Sequence, residues 1–134
     1  MVDAINAICE CEHARGDESD LQLRCETLRT LSSSHFEHEE RVLGEIRSFA
    51  QTEPEFPVSM KSMSEAMFIE HLRDHQHAID ALRLLLLRSG DRGLPICDDL
   101  TRWFVEHAIK YDAQLKAVLQ GIQDDWPALF RKIS

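Results

Sequence analysis

The sequence predicts an all-α protein, an up-and-down four-helix bundle with a short first helix and a short C-terminal helix. Three observations predict it. Apolar residues recur at spacings of three and four along most of the chain, the period of a helix with one buried face. No stretch alternates apolar and polar residues between turn signals, as a half-buried strand would. Glycine and proline punctuation separates the helical stretches, at Arg15-Gly16-Asp17, around Pro54 and Pro57, at Ser89-Gly90-Asp91-Arg92-Gly93 and before Pro127. With 134 residues, 43% of them apolar, residues 1–134 read as one domain with one core.

The first helix is expected over about Val2 to Ala14, stopped by Gly16. The second starts at a capping box, Ser19 with Gln22, in which each side chain satisfies the other's free backbone N–H. Its stripe runs through Leu28, Leu31, His35, Glu39, Val42, Ile46 and Phe49. Residues 51–59, with two prolines, break the pattern and form the one long connection. A second capping box, Ser62 with Glu65, opens the third helix, whose stripe is Met67, Phe68, His71, His75, Ala78, Ile79, Leu82 and Leu86. The fourth begins near Pro95, a residue suited to a first turn, and continues through Leu100, Trp103, Phe104, His107, Ala108, Tyr111, Leu115 and Val118 until Gly121. Asp124-Asp125-Trp126-Pro127 then caps a last short helix bearing Leu129, Phe130 and Ile133.

Charge and composition exclude several functions. The formal net charge is -9, from 24 acidic and 15 basic residues, so a nucleic-acid backbone would be repelled. No apolar run approaches the roughly 18 residues that cross a bilayer, so no membrane association is expected. The N-terminus lacks the basic and apolar regions of a secretory signal, and a cytoplasmic location is the expectation. The cysteines at 9, 11, 25 and 97 are irregularly spaced and read as reduced thiols; Cys9-x-Cys11 has no second pair at finger spacing to complete a metal site.

Polar residues occupy core positions on three helices: His35 with Glu39, His71 with His75, and His107. Uncompensated, each would cost several kcal/mol, about 2–7 for a polar group moved out of water, and five together would exceed the stability of an ordinary domain. Residues four apart on a helix project from one face about a turn, roughly 6 Å, apart, so each pair offers two ligands to a common point. Bundle cores that gather His and Glu from facing helices build di-metal carboxylate sites. His38 and His77 lie off the stripes and His13 ends the first helix; none is assigned a role.

The runs His35-Phe36-Glu37-His38-Glu39-Glu40, His71-Leu72-Arg73-Asp74-His75 and Trp103-Phe104-Val105-Glu106-His107-Ala108-Ile109-Lys110-Tyr111-Asp112 resemble the ligand motifs HxxxE, HxxxH and HxxxxD of bacterial hemerythrins, in the family's order. The resemblance implies a cofactor of two irons, one held by His71, His75 and His107 and the other by His35, with Glu39 and Asp112 bridging. It also implies an apolar ligand pocket beside the iron, with Trp103 and Phe104 on its wall. Helix geometry supports Asp112 least, because a step of five residues turns it about 140° from His107 on an ideal helix; a π-bulge would bring it round.

The chain departs from the family in lacking the histidine that its members take from the first helix. His35 lies 16 residues past Ser19, roughly 24 Å up the second helix, whereas a first helix of about 13 residues reaches only roughly 20 Å and brings His13 to the turn end. The second iron site is therefore expected to be incomplete. The connection carrying Phe56, Pro57 and Met60 is expected to fold over the gap, or a second copy of the chain, in a homodimer, to cover it.

The resemblance implies binding of dioxygen or nitric oxide, for storage, delivery or sensing, rather than an enzyme. The alternative is a helical regulatory or interaction module with a structural or degenerate metal site, which the missing histidine favours. A di-iron oxidase-like enzyme comes third, since the sequence shows no dedicated proton donor or substrate pocket.

Overall fold

The structure, a computed structural model, describes residues 1–90 and 95–134, and all regular structure among them is helical. The expected stop of the third helix at Ser89 to Gly93 falls partly on residues 91–94, outside the described residues. The elements are α1 (Val2–His13), α2 (Glu18–Thr52), α3 (Val58–Gly90), α4 (Cys97–His107), a π-helical stretch (Ala108–Asp112), α5 (Ala113–Asp125) and α6 (Pro127–Ile133). Among the described residues no helix is long and apolar enough to cross a membrane.

Local chemistry sets the helix ends. After α1 the N–H of Gly16 bonds the carbonyl of Cys11 at 2.9 Å and that of Arg15 bonds Glu12 at 3.2 Å. This is a Schellman stop in which Arg15, at φ 49°, takes the left-handed conformation. Glycine follows because a Cβ at position 16 would lie 2.6 Å from the Cys11 Sγ. Neither expected capping box forms. Asp17, not Ser19, stands before the first turn of α2 and hydrogen-bonds the Ser19 hydroxyl. Helix α3 starts at Val58, directly after Pro57, so Ser62 lies inside it, and Glu65 instead pairs with Arg47 at 2.5 and 2.7 Å. Gly121 also lies inside a helix. The chain turns only at Trp126 (φ −134°, ψ 60°), since a residue before proline is pushed out of the helical region.

By Cα proximity the chain divides into two compact units, Met1–His35 with Gln76–His107 and Phe36–His75 with Ala108–Ser134. In the first, Ile5 and Ile8 of α1, Cys25 and Leu28 of α2, Leu82 of α3 and Leu100 and Trp103 of α4 are buried. Cys9 and Cys97 form a disulfide here with Cα atoms 5.2 Å apart, which corrects the expectation of four reduced thiols; Cys11 and Cys25 are buried and keep their thiols. The cause is tertiary: α1 and α4 are neighbours, and a sequence separation of 88 residues gives no hint of it. The same contact lets the Glu12 carboxylate accept from the N–H groups of Ile96 (3.0 Å) and Cys97 (3.3 Å), filling donors that the start of α4 leaves open.

The second unit has an apolar core of Val42, Leu43, Ile46, Met67, Leu115, Ile122, Leu129 and Ile133. Phe56, buried in the connection between α2 and α3, meets Phe49 edge to face (5.7 Å) and Trp126 at a tilt (5.6 Å). The connection therefore does not fold over the gap at the ligand level. Aromatic packing draws it to the level of Phe49, ten residues or roughly 15 Å beyond Glu39 along α2.

Candidate metal centre

His35 and Glu39 stand one turn apart in the middle of α2, His71 and His75 one turn apart in α3. The buried positions of α2 (Leu28, Ser32, Phe36, Glu39, Val42, Ile46) repeat at three and four, which is why Glu39 is only 4% exposed. His71, His75 and His107 are buried for the same reason, at 1%, 2% and 5% exposure.

The third motif needs a different device. His107 is the last residue of α4, and the next five residues, Ala108–Asp112, are π-helical. With hydrogen bonds from i to i+5, a step of five residues is close to one turn, and Asp112 is brought back toward the face of His107. One ligand atom from each of His35, Glu39, His107 and Asp112 lies within 4.8 Å of the others, so this cluster of two imidazoles and two carboxylates could hold a metal ion. Imidazole and carboxylate together suit iron and zinc alike.

Around these residues the rings are ordered. His35 and His107 meet edge to face with centroids 6.4 Å apart, and the Trp103 ring lies parallel to His107 at 6.5 Å. Trp103 is fixed by its own N–H, which donates to the Ala78 carbonyl at 2.9 Å. Of the two residues expected on a pocket wall, Trp103 is thus buried beside His107, and Phe104 is half-buried.

His75 is held on three sides. Its Nε2 is 3.0 Å from the Glu39 carboxylate, its Nδ1 2.9 Å from that of Glu40, and the Phe36 ring stacks on its face at 4.4 Å and 16°. Burial alone would lower the pKa of this imidazole, but the two carboxylates outweigh it and hold the pKa above the ordinary value. His71 lies one turn away, its ring edge-on to that of His75 at 5.6 Å and to that of Tyr111 at 5.3 Å. Its Nδ1 is 3.0 Å from the Met67 carbonyl, which can only accept, so Nδ1 carries the proton. In the tautomer with its proton on Nδ1 the ring presents a lone pair at Nε2, a buried atom with no hydrogen-bond partner among the described residues. A buried imidazole lone pair of this kind fits a metal.

Of the six sequence-derived ligands, the structure thus gathers four in one cluster and sets His75 against Glu39, with His71 a turn beyond His75. Phe36 and Glu40 were not singled out by sequence reasoning. Phe36 and Glu40 stand four residues apart, one helical turn, on the segment that carries Glu39, and that spacing is the signal that could have found them. Helix α1 contributes no imidazole at this level. Met1 reaches the Ser32 hydroxyl at 3.5 Å, three residues before His35, while His13 sits at the other end, on the Cys9 carbonyl. No protein-family model, curated protein or solved structure matches the chain.

Proposed function

We propose that the chain is a non-haem iron protein of hemerythrin type, binding dioxygen or nitric oxide at a centre of two irons for storage, delivery or sensing. The observation that carries this reading is the cluster of His35, Glu39, His107 and Asp112, whose ligand atoms lie within 4.8 Å of one another. Its support is the order of the three motifs and the π-helical stretch that the HxxxxD spacing requires. The buried Nε2 of His71 adds a donor whose burial without a metal costs desolvation energy.

When bound, two ferrous ions supply the electrons and the open coordination position that a diatomic gas needs. The chain's own residues do the rest. Glu39 and Asp112 carry negative charge into the site, the imidazoles supply neutral donors, and Trp103 and Phe36 stack beside the rings to keep water away. The test is anaerobic reconstitution with ferrous iron, metal analysis, and absorption spectra before and after admitting air or nitric oxide. Two irons per chain and a new visible band on exposure to gas are the expected results; iron bound without any spectral response to either gas defeats the reading.

A second reading has one observation in its favour: the histidine of α1, His13, ends that helix and sits on the Cys9 carbonyl, away from the ligand cluster. On that reading the chain is a helical regulatory or interaction module whose metal is structural. Metal that raises the melting temperature without any response to gas selects it.

A further inference from the structure

The two histidines of the HxxxH motif are oriented in different ways, and the difference singles out a residue outside the ligand set. His71 is oriented by its own helix, through the Met67 carbonyl one turn back. His75 is met from another helix: at 2.9 Å its Nδ1 faces the carboxylate of Glu40, a residue of α2 that is one-third exposed. We propose that Glu40 is a positioning residue of the metal centre, its carboxylate accepting the Nδ1 proton of His75 and thereby committing Nε2 to the metal. The inference rests on the metal-binding reading above.

Three observations carry it. An imidazole can coordinate through either nitrogen, and which one is available is set by the hydrogen bond that the other makes. Here Nδ1 faces a carboxylate on the outer side while Nε2 faces Glu39, a member of the four-residue cluster, at 3.0 Å. The Phe36 ring, stacked on the imidazole at 4.4 Å and 16°, resists a rotation that would carry Nδ1 away from Glu40 and Nε2 away from Glu39. Glu40 does not join the cluster. It stands one residue after Glu39 on α2, about 100° round the helix, so it reaches His75 from a different side. Carboxylates placed in this way fix ring orientation and raise ligand basicity, and their removal weakens metal binding by about 10–100-fold.

The experiment titrates the metal-free full chain with ferrous iron under argon, comparing wild type, Glu40→Ala, Glu40→Gln and Glu37→Ala. Glu37 is an exposed acid on the same helix, so its removal takes away the same charge without touching His75. Glu40→Ala should weaken iron binding about 10–100-fold, Glu40→Gln by less, because its amide oxygen still accepts from Nδ1, and Glu37→Ala not at all. Nitrogen NMR of the zinc-loaded wild type reads the orientation without any variant: His75 should carry its proton on Nδ1 and coordinate through Nε2. Equal affinity of Glu40→Ala and Glu37→Ala, or coordination of His75 through Nδ1, overturns the inference while leaving metal binding intact. A wild-type chain that takes up neither metal overturns the metal-binding reading itself, and this inference with it.

Discussion

The two compact units are held together by different chemistry. In Phe36–His75 with Ala108–Ser134, seven buried aliphatic side chains and Met67 are flanked by Phe49, Phe68, Trp126 and Phe130, an apolar cluster of the ordinary kind. In Met1–His35 with Gln76–His107, α1 is short, and fastening it to α4 takes a disulfide and a charged cap in addition to Ile5 and Ile8. A helix of 12 residues is marginal by itself and buries little surface, so cross-links carry more of its stability.

That difference can be broken by substitution. Ile122, fully buried in the second unit, should cost about 2–5 kcal/mol when replaced by alanine, from lost transfer energy and the cavity left behind. Denaturant melts measure the loss, and hydrogen exchange should show it first in α5 and α6. A loss under about 1 kcal/mol would mean that the cavity collapses and the cluster is not tightly packed.

Cutting the Cys9–Cys97 bond, by Cys97→Ser or by reductant, should cost about 2–4 kcal/mol, because the bond closes a loop of 88 residues that the unfolded chain otherwise explores freely. Exchange should rise in α1 and at the start of α4. A uniform rise that includes α5 and α6 would show that the two units do not open separately.

Glu12→Ala should cost about 1 kcal/mol, the usual scale of a lost N-terminal cap, and should loosen the same segments as reduction does. Combining it with Cys97→Ser tests coupling. Strict additivity would mean that cap and disulfide hold α4 independently, whereas a combined loss smaller than the sum would mean that both act through one contact of α1 with α4. Smaller still is Arg47→Ala in the second unit. Its pair with Glu65 is one-third or more exposed on both sides, so a loss of roughly 0.2–1 kcal/mol is expected, falling with added salt.

What could be read from the sequence follows the same physical division. Helix type, the buried faces of α2 and α3, and the in-line pairs His35/Glu39 and His71/His75 all follow from a period of 3.6, which a single chain displays openly. The π-helical stretch was implied only by the spacing of His107 and Asp112, five residues apart, once both were read as ligands. Features that depend on one helix meeting another were not visible: the disulfide, Glu12 on the start of α4, Phe56 against Trp126 and Glu40 on His75. Both capping boxes failed for a local reason. Asp17 and Pro57 lie just upstream of the expected caps, and each starts its helix earlier than the serine would.

The account stands on His107 and Asp112 acting with His35 and Glu39 in one metal centre, and the melting temperature under argon with and without ferrous iron reads this in the folded chain. Iron binds the native arrangement and not the unfolded chain, so the wild type should melt higher with iron than without, by an amount that grows with iron concentration. Asp112→Asn, which keeps the size of the side chain and removes its charge, should keep the metal-free melting temperature and lose most of that rise. Equal melting temperatures for the wild type at every iron concentration, or an undiminished rise in Asp112→Asn, would contradict the assignment.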